Sequence, residues 1–80
     1  MNSKFEFTGE TCIIFGVTFN RIRAKVAIGV DVQIGDLGGW LEKDENLASY
    51  GDAWVYGDAR VSGNARVSGN ARVSGDARVS

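Results

Sequence analysis

The chain has 80 residues, a formal net charge of −1, one cysteine and no histidine. A chain of this length forms one small domain, buries a limited share of its surface and is marginal alone. A single cysteine excludes an intrachain disulfide, and too few ligands remain for a structural zinc, so we expect no metal and no cofactor. The near-zero charge argues against a general binder of polyanions. Oligomerisation is the remaining common way to stabilise such a chain.

The first residues predict a small β-hairpin. Residues 4–8 and 11–15 each have the composition and alternation of a short strand. Gly9 and Glu10 lie between the two segments and predict the turn that joins them. We therefore expect two antiparallel strands before residue 16.

A longer alternating segment follows. From residue 22 to residue 34 every second side chain is apolar, which predicts two strands, or one strand with a bulge, interrupted at Gly29. One helical turn fits between Leu41 and Leu47. We interpret residues 1–36 as an N-terminal β cap, because the open end of a repeat exposes apolar side chains and unpaired backbone.

The second half of the sequence is a six-residue repeat. Five copies follow one another from Tyr50 onward without drift. In each copy alanine and valine share one side of a short strand, and the residues that alternate with them, mostly arginine and serine, share the other. Glycine followed by Asp or Asn is turn chemistry. The repeat predicts a coil with an apolar bore lined by these residues: Ala53, Val55, Ala59, Val61, Ala65, Val67, Ala71, Val73, Ala77 and Val79.

The repeat resembles a known family. An aliphatic residue is followed four positions later by a small one, as in Val55 to Ala59 and Val61 to Ala65, and this spacing resembles the hexapeptide repeat of left-handed β-helix proteins. The resemblance implies an all-β fold, with residues 37–80 forming a short left-handed β-helix, or β-solenoid. Three repeats would make one coil of about 18 residues. Residues one coil apart should then stack, for example Val61 on Val79.

The resemblance also bears on catalysis. The stretch from Gly35 to Leu47, leading into Gly51, resembles phage and prophage proteins that carry acyltransferase labels. Hexapeptide acyltransferases use a histidine as general base, and this sequence has none. No Ser–His or Cys–His pair is available to form a nucleophile. We therefore expect no enzyme activity, and an acyltransferase-like enzyme remains an alternative from another class.

Other ligands and compartments follow from composition. Residues 49–80 hold four arginines against three aspartates, which argues against nucleic acid. The repeated Gly-Asp pairs recur every six residues, whereas calcium-binding β-rolls repeat every nine. No apolar run is long enough to span a membrane, and the start lacks the apolar core of a signal peptide. We expect a cytoplasmic protein, in the host cytoplasm if a phage encodes it, with Cys12 as a buried thiol.

Recognition is the function that remains. Aromatic side chains are frequent at binding surfaces, and four of them cluster where cap and coil meet. In three of the four, an aromatic residue replaces Ser or Arg at a position that we assign to the outside of the coil. The competing interpretation packs them under the cap. The four junction aromatics are Trp40, Tyr50, Trp54 and Tyr56.

Self-assembly is the main functional hypothesis. The last repeat resembles the copies before it, so its apolar side would be open, and a second copy of the chain could cover it. We expect a homo-oligomer, most simply a dimer, in which Arg72, Arg78 and Val79 lie near the contact. A side-by-side trimer is the alternative symmetry. The alternative function is a small phage inhibitor that binds a host protein such as a defence factor.

Overall fold

The computed structural model describes residues 3–80, so the first two residues of the predicted cap lie outside it. The described chain is built from seven strands and one turn of 3-10 helix, Asp44–Asn46, and contains no α-helix. The prediction of an all-β fold is confirmed. The strands are β1 (Phe5–Ile14), β2 (Val17–Ala24), β3 (Leu37–Leu41), β4 (Trp54–Val55), β5 (Arg60–Val61), β6 (Arg72–Val73) and β7 (Arg78–Val79). They form a five-stranded sheet in the order β1-β2-β3-β5-β7 and a two-stranded sheet of β4 and β6.

The N-terminal hairpin differs from the prediction. β1 and β2 pair in antiparallel orientation, but the turn between them lies at Phe15 and Gly16. Both residues have positive φ angles, 50° and 79°, as a two-residue hairpin turn requires. The register shifts within β1 around Gly9, where a bulge replaces the expected turn. The predicted pair of strands at residues 4–8 and 11–15 is therefore wrong, because both segments belong to one strand.

The alternating segment at residues 22–34 is only partly a strand. β2 ends at Ala24, and a loop follows in which Ile28 and Val32 form an isolated antiparallel bridge. The predicted break at Gly29 is misplaced, because the strand has already ended at Ala24, and Gly29, with a φ angle of 59°, lies in the loop. The predicted single apolar face is wrong from Val26 onward, because the loop doubles back and leaves some of these side chains in solvent. The buried members are Ile22, Ala24, Ile28 and Val32, whereas Val26, Val30 and Ile34 are exposed.

The repeat strands stack in parallel at a fixed offset. Val55 pairs with Val73, and Val61 pairs with Val79, so each partner lies three repeats further along the chain. The neighbouring Arg60 pairs with Arg78 in the same register. The predicted pairing of residues three repeats apart is confirmed. Because each strand is only two residues long, the order comes from repetition of the parallel ladder and not from any single strand.

The first stack has a larger offset. Leu47 forms a parallel bridge with Val67, and Leu41 pairs with Val61, so partners in this stack are separated by two positions more than three repeats. The additional positions fall between Leu47 and Val55, where successive inward residues are further apart than the six-residue period of the later copies. One corner of the chain, at residues 48–52, is therefore wider than the corners that follow it.

The side chain of Lys4 stabilises this wide corner. The side chain is only 3% exposed, and its Nζ donates to the carbonyl oxygen of Ala48 at 3.2 Å and to that of Tyr50 at 3.5 Å. Burial lowers the pKa of the Lys4 ammonium below its usual value, and the Asp52 carboxylate opposes part of that shift. The cap and the repeat are thus joined by hydrogen bonds from a buried ammonium to the backbone.

Lys4→Met should destabilise the fold by about 1–3 kcal/mol, because the carbonyl oxygens of Ala48 and Tyr50 lose a charged hydrogen-bond donor. The loss should depend on pH. Between the lowered pKa of folded Lys4 and its ordinary value of 10.5, the unfolded chain binds more protons than the folded protein, so raising the pH favours folding. The stability of the wild type relative to Lys4→Met should therefore rise in that window and stay level below it. Urea unfolding from neutral pH to pH 10.5 measures this, with Lys43→Met, at an exposed lysine, as the control. If the difference in unfolding free energy between the wild type and Lys4→Met does not change with pH, the pKa of Lys4 is not lowered in the folded protein.

Burial along the bore falls from the first copies to the last. The inward residues Val55 and Val61 are fully buried, and Val67 is nearly so, whereas Val73 and Val79 are only half-buried. The predicted inward side is confirmed for the first copies. The alanines of the last two copies, Ala71 and Ala77, are exposed, because no further strand stacks on that side of the described chain.

β3 joins the cap to the repeat through close backbone packing. A Cβ atom at Gly39 would lie 2.6 Å from the carbonyl oxygen of Ala59 and 2.6 Å from a methyl carbon of Val55. A Cβ atom at Gly38 would meet Ile22 at 2.7 Å and Trp54 at 2.8 Å. All four distances are shorter than Cβ atoms make in proteins, so glycine is required at both positions.

Candidate functional site

The four junction aromatics do not form one surface. Trp54 is 1% exposed, and its ring meets that of Phe5 edge-on, with 6.5 Å between the centroids and 75° between the planes. Its expected place on an outer recognition surface is therefore wrong. The N-terminal hairpin covers this side of the coil, so the indole belongs to the core between cap and repeat. The competing interpretation, packing under the cap, holds for this residue.

Trp40 is also buried against the cap. The Arg21 guanidinium lies 5.3 Å from the centroid of the Trp40 ring, within the range of a cation–π contact. Arg21 also donates from Nε to the carbonyl oxygen of Gly38 at 3.1 Å, which fixes the guanidinium over the ring. Trp40 therefore has a structural partner in the strand beside it and does not offer a free aromatic face.

Tyr56 and Arg72 meet at an aspartate that the sequence did not single out. The Tyr56 hydroxyl donates to Oδ2 of Asp31 at 3.1 Å, and Arg72 donates from Nη1 to the same oxygen at 2.9 Å. Burial, followed by the hydrogen bond to Asp31, raises the pKa of Tyr56. The ion pair is about half exposed, so it contributes at most about 1 kcal/mol. The cluster connects the loop after β2 to the coil through Asp31.

The remaining predicted site residues are more accessible. Tyr50 is 72% exposed and is the one junction aromatic with a free ring in the described chain. Arg78 is exposed, and Val79 is half-buried next to Val61 in the last coil. The structure therefore separates the predicted site into Tyr50 at the wide corner and Arg78 with Val79 in the last coil.

A groove runs between the hairpin turn and the coil. It has a volume of about 220 Å³, and the hairpin lines one side of it with apolar side chains while the coil lines the other with arginine and serine. We call it the tip groove. The sequence did not point to it, because the predicted turn lay at Gly9. The lining residues are Ile14, Phe15, Val17 and Phe19 from the hairpin, and Arg60, Ser62, Arg78 and Ser80 from the coil.

Asn46 is a buried polar residue with a structural role. Its side-chain amide donates to the carbonyl oxygens of Gly63 at 3.2 Å and Ala65 at 2.9 Å, and its Oδ1 accepts from the backbone N–H of Lys43 at 2.8 Å. Both amide hydrogens and the carbonyl oxygen are therefore used. Asn46 holds the 3-10 turn against the corner of the following coil, and no pattern in the sequence distinguished it from a loop residue.

Metal ligands and reactive groups are scattered in the part of the chain that the structure describes. Within residues 3–80 no three Asp, Glu or Cys side chains come together in a way that could hold a metal ion. Cys12 is a free, half-buried thiol in β1. Over the same residues, no helix has the length and apolar character needed to cross a membrane.

Comparison with known proteins bears on the repeat. A family profile described as the YdcK beta solenoid repeat matches residues 53–69 and 59–73, within the segment that stacks in parallel. The repeat is therefore similar to a β-solenoid repeat. The match to this β-solenoid family covers the repeat alone and less than half of the chain. No curated protein matches the sequence.

Proposed function

We propose that the protein is a non-catalytic module that assembles with copies of itself through its last solenoid coil. The supporting observation is the fall in burial along the bore, from fully buried Val55 and Val61 to half-buried Val73 and Val79. A second copy that stacks on the last coil would remove this apolar surface from water. In the finer form of the proposal the coil is left-handed, as in the hexapeptide-repeat family that the sequence resembles.

Charge at the last coil suits a two-fold contact. Arg72 and Arg78 are exposed there, and the exposed Asp76 lies between them in sequence. A two-fold axis places the same residues on both sides of the contact, so Asp76 of each copy can pair with an arginine of the other. Arg72 already contacts Asp31 in its own chain, which leaves Arg78 as the arginine that pairs across the contact.

Val79→Lys should convert the dimer into monomers, because it places a charge in an apolar contact that must be dehydrated. We expect the dissociation constant to rise at least tenfold, or about 1.4 kcal/mol, in sedimentation at micromolar concentration. Val30→Lys makes the same change at an exposed valine of the loop and should leave the dimer intact. A wild type that sediments as a monomer, or a dimer that survives Val79→Lys, would show that the last coil is not the contact. A trimer in the wild type would favour side-by-side packing.

A further inference from the structure

We propose that the tip groove binds an extended segment of another protein that carries an apolar side chain and, two residues away, a carboxylate. This function goes beyond self-assembly but shares Arg78 with the proposed contact, so binding and sedimentation are measured on the same samples. The apolar side chain would lie against the hairpin side of the groove and the carboxylate against the two arginines. A volume of about 220 Å³ holds one large side chain with part of its backbone.

Phe15 is the first observation that supports a ligand. Its side chain is 98% exposed, and its backbone has a φ angle of 50°, which costs roughly 1–2 kcal/mol for a residue with a Cβ. Asparagine or glycine is the usual choice at this position of a two-residue hairpin turn. A phenylalanine here adds strain and contributes almost no burial within the chain. A contact with another molecule accounts for its presence.

The arginines on the opposite side are the second observation. Arg60 and Arg78 stack in register, so two guanidinium groups lie on neighbouring strands of one sheet. The ion pairs among residues 3–80 involve other arginines, Arg23 and Arg72, and the buried Nε of Arg60 has no hydrogen-bond acceptor in the described chain. A buried donor without an acceptor costs about 1–3 kcal/mol. A carboxylate in the groove would accept from the exposed ends of the guanidinium groups and offset the repulsion between the two charges.

The combination of groups indicates a peptide segment. In an extended chain residues i and i+2 face the same side, so an apolar and an acidic side chain spaced in this way match the two sides of the groove. An anionic bilayer needs a broad basic surface. The net charge of this chain is −1, and Arg60 and Arg78 lie together in one groove, so the chain lacks the charge that binding to a bilayer needs. A single carboxylate fits this arrangement better than a charged surface does.

The experiment titrates the ¹⁵N-labelled protein with the blocked tripeptide acetyl-Phe-Ser-Glu-amide and follows backbone amide shifts. We expect saturation near a dissociation constant of about 1 mM, with the largest shifts at Phe15, Ser62 and Arg78. Acetyl-Phe-Ser-Gln-amide and acetyl-Ala-Ser-Glu-amide each lack one of the two groups and should bind at least fivefold more weakly. Equal binding of the glutamine peptide, or shifts centred away from the groove, would overturn the proposal. If octanoate binds more tightly than the peptide, the ligand of the groove is a free amphiphile and not a protein segment, and the proposal is wrong.

Variants of the protein test the two sides of the groove separately. Arg78→Gln should weaken the tripeptide at least fivefold, whereas Arg66→Gln, at the same repeat position on another side of the coil, should not. Phe15→Asn should weaken binding and at the same time raise the stability of the hairpin, because it relieves the positive φ angle. A Phe15→Asn protein that binds as well as the wild type would overturn the proposal. Sedimentation of the same samples separates loss of binding from any change in self-association.

Discussion

Asn46→Asp should destabilise the protein by about 3–5 kcal/mol, the cost of an unpaired charge in a buried hydrogen-bonded site. The substitution keeps size and shape but replaces a donor of two hydrogen bonds with an acceptor. The new carboxylate would face the carbonyl oxygens of Gly63 and Ala65, both of which Asn46 now bonds. Burial would raise the pKa of the new carboxyl group, so the deficit should shrink at acidic pH, where the protonated form can donate one bond.

Asn64→Asp is the matched control. Asn64 is exposed, and the equivalent position of other copies is already aspartate, as at Asp58 and Asp76. The same chemical change should therefore alter the free energy of unfolding by less than about 0.5 kcal/mol. Chemical denaturation of the two variants at neutral pH and at acidic pH gives the comparison. Similar unfolding free energies for the two variants would mean that the Asn46 amide is not the group that holds the corner.

Val67→Asp should prevent folding. Val67 is buried in the bore beside Leu47, and an unpaired carboxylate in an apolar interior costs several kcal/mol, which is comparable to the whole stability of a small domain. Arg66→Asp changes the adjacent residue, which is exposed on the outer side of the coil, and should be tolerated. Circular dichroism and thermal unfolding distinguish the two. If Val67→Asp retains the wild-type spectrum, Val67 does not lie in the bore, and if Arg66→Asp alone unfolds, inside and outside of the repeat are reversed.

Periodicity explains why the repeat was predictable. A six-residue pattern without drift fixes which side chains point inward, and the stacking of Val55 on Val73 follows from three repeats per coil. Local alternation and turn chemistry predict which side chains point inward, whereas the number of three repeats per coil came from the resemblance to the hexapeptide-repeat family. The handedness of the coil is not contained in that pattern and stays a prediction from resemblance.

The cap was harder to predict, because its decisive contacts join residues far apart in sequence. A strand with a bulge at Gly9 and a hairpin with a turn there have the same alternation, so the pattern could not locate the turn at Phe15. Trp54 stands at a position that is outward in every other copy, and only the hairpin of the folded chain covers it. Lys4 and Asn46 are single polar residues without a repeat, and their partners appear only when the backbone is in place.

The wide corner has a consequence for how such a chain can change in length during evolution. Beyond Val55 the partners in every stacked pair are separated by three repeats, so duplication of three consecutive repeats adds one full coil and returns each side to its original orientation. Duplication of a single repeat would instead shift every later residue by one side of the coil. The segment before Val55 is not a whole number of repeats, because the stack that it forms contains two additional positions. Lys4 donates a hydrogen bond to the corner that contains these positions. Lineages of this protein should therefore differ by whole coils of three repeats, with the segment up to Val55 constant in length.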